Sequence, residues 1–312
     1  MKRTPRHTLL RTAAALTLLL PALTACTIVS RTVPAADEPI TFASFLPDVT
    51  KAVVNNEEDM EDFAVWMYID GVPSLEQERV YNADAASSSP LWTYDSKRFW
   101  TEGNYNFYAL HPFPGSIVPE DGTLTASSSP DEGISIISFS AESGYIDLMT
   151  AGADRSYPDE GSDAVAFAFN HLLSKVSIHA RSYVDNISLS SAAIEDVMKQ
   201  GAYTESGQWT LGTDVKDYSV QHVSPVTLVK NSDPVPIAEN FLLIPQSGDL
   251  KLSFSYNDGN SDLQKSIDLP GTVWEPGRSY VYVITFRTDV VVDVNFKVVP
   301  WDDRVVEVPD FN

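Results

Sequence analysis

One cysteine, Cys26, is all the thiol that this chain of 312 residues contains. A disulfide framework is therefore excluded, and a cysteine-based zinc site with it. Basic residues are also scarce: 21 Lys and Arg stand against 43 Asp and Glu, for a formal net charge of −22. A surface of that sign repels nucleic acid and anionic membrane, so no nucleic-acid partner is expected. No apolar run reaches the roughly 20 residues that a membrane-spanning helix needs. The five histidines, His7, His111, His171, His179 and His222, are scattered. None pairs with another at metal-ligand spacing, so neither a metal nor a cofactor is expected. A Gly-x-Ser-x-Gly elbow, a phosphate-cradling glycine loop and a dinucleotide fingerprint are all missing, and the chain does not read as an enzyme.

What is present begins at the N-terminus. Lys2, Arg3, Arg6 and Arg11 precede an apolar run from Thr12 to Leu20, and Leu23-Thr24-Ala25-Cys26 closes it. Basic, apolar and small-residue segments in that order form a bacterial export signal, and a cysteine at the cut site makes it a lipoprotein signal. Residues 1–26 are thus expected to end in a lipidated Cys26 that ties the protein to the outer membrane at the cell surface. Loss of the four basic residues would leave 17 against 43 acids, a net charge of −26. Residues 27–37 are small and polar and read as a flexible tether.

Beyond the tether the pattern is of strands. Phe63 to Tyr68 is a β-branched and aromatic run ending at the turn pair Asp70-Gly71. Tyr105 to Leu110, Ile134 to Phe139, Ala164 to Phe169 and Lys175 to Ala180 follow in the same style. Leu250, Leu252, Phe254 and Tyr256 alternate with Lys251, Ser253 and Ser255, as a half-buried strand requires. Ser279 to Phe286 and Val290 to Val299 are the last long strands. Only Ser190 to Gln200 has apolar residues at helical spacing, and the segment also reads as a strand. Asp84 to Pro90 and Ala126 to Gly133 are serine-rich and read as exposed loops. Hydrophobic residues make up 43% of the chain, enough to build packed cores. Many short strands with almost no helix predict an all-β sandwich architecture. A length of about 285 residues after processing suggests two domains, 38–182 and 183–312, meeting near Arg181 to Asn186.

Asp258-Gly259-Asn260-Ser261-Asp262 gathers oxygens but lacks the spacing of a calcium loop, and reads as a hairpin turn. Trp66 lies inside an apolar strand and belongs to a core. Trp92 and Trp100 sit near loop ends and are the tryptophans expected at the surface, where they would suit a glycan-binding lipoprotein.

Several segments together resemble the fimbrillin family of Bacteroidales lipoproteins, the subunits of protease-matured pili. They are Phe167 to Val176, Tyr145 to Ala151, Phe241 to Gln246, Trp274 to Tyr282 and Val298 to Trp301, and they fall in the family's order. The resemblance implies two transthyretin-like β-sandwich domains in tandem. It also implies assembly with other pilus subunits. In the family a trypsin-like protease frees the first strand, and a strand of the next subunit replaces it. Here the first strand would be Ile40 to Val49, with Ile40, Phe42 and Leu46 filling the groove. The corresponding cut falls at Lys51-Ala52, a lysine where the family has arginine, and Arg31 is the only arginine nearby. The donor strand would come from the C-terminal region, either Val294, Phe296 and Val298 or the tail with Val306 and Val308. A lipid-anchored accessory subunit that keeps its first strand is the alternative reading within the same machinery.

Overall fold

The computed structural model describes residues 38–45, 60–84, 90–204, 207–271, 273–287 and 292–301. The fold is all-β. In chain order the strands are β1 (Phe42–Phe45), β2 (Asp62–Ile69), β3 (Val72–Asn82), β4 (Trp92–Thr93), β5 (Gly103–His111), β6 (Thr123–Ser129) and β7 (Gly133–Ser140). Next come β8 (Met149–Tyr157), β9 (Val165–Ala168), β10 (Asn170–His171), β11 (Ser174–Ser182), β12 (Ser188–Met198), β13 (Gln200–Thr204) and β14 (Gln208–Leu211). The last are β15 (Val215–Thr227), β16 (Val235–Leu243), β17 (Lys251–Asn257), β18 (Asp262–Asp268), β19 (Arg278–Phe286) and β20 (Val292–Pro300).

A six-stranded sheet in the order β10-β8-β5-β2-β3-β4 forms the middle layer of the N-terminal half. It is covered on both faces, which explains why β2 is apolar almost throughout rather than alternating. Phe63, Val65 and Met67 point into one core, shared with Phe107, Tyr105, Phe167 and the first strand. Ala64, Trp66 and Tyr68 point into another, shared with Ile136 and Phe139 from the sheet β14-β13-β7-β6. The tight β2–β3 hairpin turns at Asp70-Gly71, where both residues have positive φ (48° and 78°) and the strands pair Ile69 with Val72. That conformation is the one an Asp-Gly pair tolerates best.

The C-terminal sandwich stacks β16-β11-β19-β20 on β15-β12-β17-β18. Val176, Ile178, Leu189, Ile194, Leu252, Phe254, Tyr282 and Phe286 fill its core. Strand pairing crosses position 182/183 in both directions. β11 pairs with β16 and β19, so it belongs to the C-terminal sandwich. β13 and β14 reach back to extend the sheet of β6 and β7.

Three local readings are settled by these pairings. Ser190 to Gln200 falls mainly in strand β12, between β15 and β17. Its buried residues are Leu189, Ala192, Ile194 and Val197. Register shifts next to Leu189 and Ile194 put the apolar positions three, two and three apart. That spacing imitates a helix because each bulge adds a residue to the two-residue period. Ala126 to Ser129 is not a loop but the end of β6, paired with β7 through Ser128–Ile134. β6 is the edge of its sheet, where serine on the solvent side costs little. The Asp258 segment is the turn that its composition indicates: Asn257 pairs with Asp262, and Asp258 Oδ1 accepts from the amides of Asn260 and Ser261 at 2.8 Å.

Candidate functional site: the seat of the first strand

The first strand is held by a short ladder and by side chains. β1 has a ladder of only four residues, parallel to β9, from Phe42–Val165 to Phe45–Ala168. Just before it the Ile40 amide donates to the Arg98 carbonyl at 2.8 Å, and the Trp100 amide donates to the Glu38 carbonyl at 3.0 Å. On that flank the remaining bonds come from side chains. The Tyr94 hydroxyl donates to the Ile40 carbonyl at 3.0 Å and accepts from the Arg98 amide at 3.1 Å. The Trp92 indole Nε1 donates to Ser44 Oγ at 3.0 Å. Burial raises the Tyr94 hydroxyl above its ordinary pKa, which keeps it a donor.

Slight as this backbone attachment is, the side chains go deep. Ile40, Phe42 and Ser44 alternate inward and are 1%, 6% and 5% exposed. The Phe42 ring lies 5.2 Å from Tyr94, 5.7 Å from Phe167 and 6.1 Å from Phe107, centroid to centroid. These three rings come from the β4–β5 loop, β9 and β5, so the strand closes a cleft between the six-stranded sheet and β9. Of the groove-filling residues expected from sequence, Ile40 and Phe42 are thus in the core. Leu46 lies outside the described residues, as do Cys26, Arg31, Lys51, Ala52, Val306 and Val308.

The surface assignment of two tryptophans is corrected. Trp100 is buried, stacked on Tyr157 at 5.4 Å and edge-on to Tyr105 at 4.9 Å. Trp92 is half-buried, its ring edge-on to Phe63 at 4.9 Å and its N–H occupied by Ser44. Both work in the seat, so neither is a free platform for a sugar ring. Loop position misled because Ser44 and Phe63 at Trp92, and Tyr157 at Trp100, are remote in sequence. Ser44, Trp92 and Tyr94 are the seat residues that sequence reasoning missed. The inward period Ile40-x-Phe42-x-Ser44 was the available sign of the first.

The C-terminal candidates lie at the far end of the molecule's chain order. β20 is the edge strand of its sheet and pairs antiparallel with β19, Ile284 with Val294, Tyr282 with Phe296 and Tyr280 with Val298. Val294 and Phe296 pack on the sandwich core, while Val298 is exposed. Immediately after β20, Trp301 is buried against His171, the two rings stacked at 4.1 Å and 10°. His171 Nδ1 is 2.8 Å from Asp147 Oδ1.

A second buried histidine supplies a pH dependence. His111 Nδ1 donates to the Asp62 carbonyl at 2.7 Å. Burial pushes its imidazole below the usual range, against the opposite pull of the Asp62 carbonyl and the Asp147 carboxylate. The folded chain therefore holds His111 neutral, whereas the unfolded chain takes up a proton below about pH 6.5. The stability from this group is present above that pH and is lost as pH falls below it. A urea midpoint measured at pH 7 should exceed that at pH 5, and His111→Gln should make the decline shallower. An unchanged slope in the variant would rule His111 out as a source.

Among the described residues no group of three His, Cys, Asp or Glu side chains is placed to hold a metal ion, and no helix is long and apolar enough to cross a membrane. Comparison with curated proteins returns no match. Among solved structures, a fimbrial protein from Bacteroides vulgatus superposes with a TM-score of 0.61 at 16% identity, over 84% of this chain and 99% of that one. A candidate cell adhesion protein from Bacteroides uniformis gives 0.55 at 16% identity over 84% and 98%, and one from Bacteroides ovatus gives 0.54 at 14% over 86% and 100%. At such identities these similarities establish a shared fold. The family profile described as fimbrillin-like goes further, since it matches residues 50–301 and so spans both halves of the structure. It points to a structural, non-enzymatic protein of the cell surface. By that match, with the all-β architecture beneath it, the chain belongs to the fimbrillin-like family.

Proposed function

We propose that this protein is a structural subunit of a cell-surface pilus, exported as a lipoprotein through Cys26 and assembled by protease-triggered exchange of β-strands, contributing to adhesion. The observation that carries the reading is the unequal attachment of β1. Its side chains complete a core, yet its backbone is tied by a ladder of four residues. A cut after Lys51 by a trypsin-like protease would separate it from the rest of the chain. Its departure would uncover a cleft lined by Phe107, Phe167 and Tyr94, together with the free backbone edge of β9. A strand from another subunit restores both the hydrogen bonds and the apolar contacts, which is strand addition at a sheet edge. The inward period of two residues sets its register. The donor would be β20 with Val294, Phe296 and Val298, or the tail with Val306 and Val308.

Protein lacking residues 1–26, treated with a trace of trypsin, should acquire a new N-terminus at Ala52 by mass spectrometry and give a ladder of multimers on an unboiled denaturing gel. Deleting Val305 to Asn312 should abolish the ladder if the tail donates, and persistence of the ladder would leave β20 as donor. Resistance at Lys51 would instead favour the accessory reading, a lipid-anchored subunit that keeps its first strand. The lysine at this position, where the family carries arginine, is what speaks for that second reading. The glycan-binding reading loses its support with the burial of Trp100 and the engagement of Trp92.

A further inference from the structure

Two side chains hydrogen-bond to β1 or to the residue just before Thr41, and they ask different things of the strand they hold. Tyr94 donates to the Ile40 carbonyl, a main-chain group that every residue carries. It fixes position and is blind to sequence. Trp92 donates to the Ser44 hydroxyl, a side-chain group. An indole N–H is a donor only, so the residue opposite it must bring an acceptor. The indole is not free to turn elsewhere, because its ring is packed edge-on against Phe63 of β2. The Ser44 hydroxyl is itself buried, 5% exposed, so water is a poor substitute. Two residues earlier, Phe42 meets three aromatic rings, and two before that Ile40 is 1% exposed.

We infer that Trp92 is a specificity-determining residue of this seat: it reads the third inward position of any strand that fills it, so that the seat selects an aliphatic residue, an aromatic residue and a side-chain acceptor at alternate positions. The inference rests on the strand-exchange reading above and names the partner that reading leaves open. Within this chain, Ile40-x-Phe42-x-Ser44 satisfies all three positions. Val294-x-Phe296-x-Val298 has the aliphatic and the aromatic residue but no acceptor. Val306-x-Val308-x-Asp310 has an acceptor but no aromatic residue. Read in the direction of β1, neither C-terminal segment is a full match, so a strand of a related subunit with Ser, Thr or Asn at the third position should seat more tightly than either segment of a second copy.

The test uses the full chain nicked between residues 51 and 52, both pieces present, challenged with labelled peptides in excess. The peptide of residues 38–46 should displace the resident strand. Its Ser44→Ala version should bind roughly 5- to 150-fold more weakly, the range for leaving one buried donor without an acceptor. On Trp92→Phe protein the two peptides should bind alike. A peptide of residues 292–300 should gain affinity when it carries Val298→Ser. Equal binding of the first two peptides to unsubstituted protein would overturn the role of Trp92 while leaving strand exchange standing. Failure of every peptide to enter, the unchanged one included, would overturn strand exchange and this inference with it. A cycle in the intact, uncut chain tests the hydrogen bond separately. The melting-point losses of Ser44→Ala and Trp92→Phe should be less than additive in the double variant, and additive losses would rule the coupling out.

Discussion

Replacing Phe42 with alanine is expected to lower the stability of the folded chain by about 3–5 kcal/mol, the range for deleting a buried aromatic side chain. The number is large because three separate elements lean on this one ring. Tyr94, Phe107 and Phe167 all lie within 6.1 Å of it, and Phe167 is nearly parallel to it, at 24°. Removing the ring leaves a void that β1 cannot close, since the strand is fixed at one end by the bonds of Glu38 and Ile40 and along its length by β9. For a domain of this size the loss corresponds to a fall in melting temperature on the order of 10 °C. Urea titration of the uncut protein checks it. A loss below about 1 kcal/mol would mean that the first strand adds little to the core, and strand exchange would then lack its driving force. Ile40→Ala should also destabilise, but the two losses should not add, because both residues face the same cavity.

Trp301→Ala is expected to cost a similar amount, about 3–5 kcal/mol, and to act on a second region of the molecule. Trp301 is among the largest fully buried side chains, 1% exposed. It belongs to the core that holds Leu172, Leu173, Leu242 and Ile244. One contact is the stack on His171, and Lys175 Nζ lies 5.1 Å from the ring centroid and donates to the Trp301 carbonyl at 3.4 Å. The Trp301 amide donates to Gly277 at 3.1 Å. β20 ends one residue earlier and is paired on one side only, so Trp301 pins the free end of an edge strand. Hydrogen exchange should therefore speed up in β20 more than in β11 or β12, the central strands of the two stacked sheets. Uniform acceleration throughout the sandwich would show that the tryptophan supports the core without anchoring β20. Trp301→Phe, which keeps a ring against His171, should recover most of the protection.

The two expected losses sit at opposite ends of the described chain, and both concern strands that proposed assembly would move. On that proposal β1 would leave when the subunit matures, and β20 is one of the two candidate donors. β1 is bound by a ladder of four residues and by the deeply set Phe42 ring, whereas β20 pairs with β19 over nine residues and is followed by the buried Trp301. A strand held as β1 is has a small ladder to break and a large apolar area to recover elsewhere, which is the balance that exchange between subunits requires.

Strand character was legible in the chain itself wherever one face is wet. Leu250 to Tyr256 alternates because β17 has solvent on one side, and the Asp70-Gly71 turn is demanded by positive φ at both positions. The all-β class followed from many such segments. The first strand was legible too, since Ile40 and Phe42 carry the period that places them in a core. The bulged strand β12 was ambiguous because register shifts depend on its neighbours β15 and β17, which lie far along the chain. β6 looked like a loop because its serines gain their ladder only from β7. Trp92 and Trp100 looked exposed because what buries them arrives from elsewhere: Phe63 and Ser44 at Trp92, Tyr157 at Trp100. The pattern of residues thus determined which segments are extended and which side chains seek a core, since these depend on neighbours two residues away. The tertiary structure alone decided which strands share a sheet, that Trp92 meets Ser44 across 48 residues, and that Trp301 closes on His171, because such contacts are chosen by packing between distant segments.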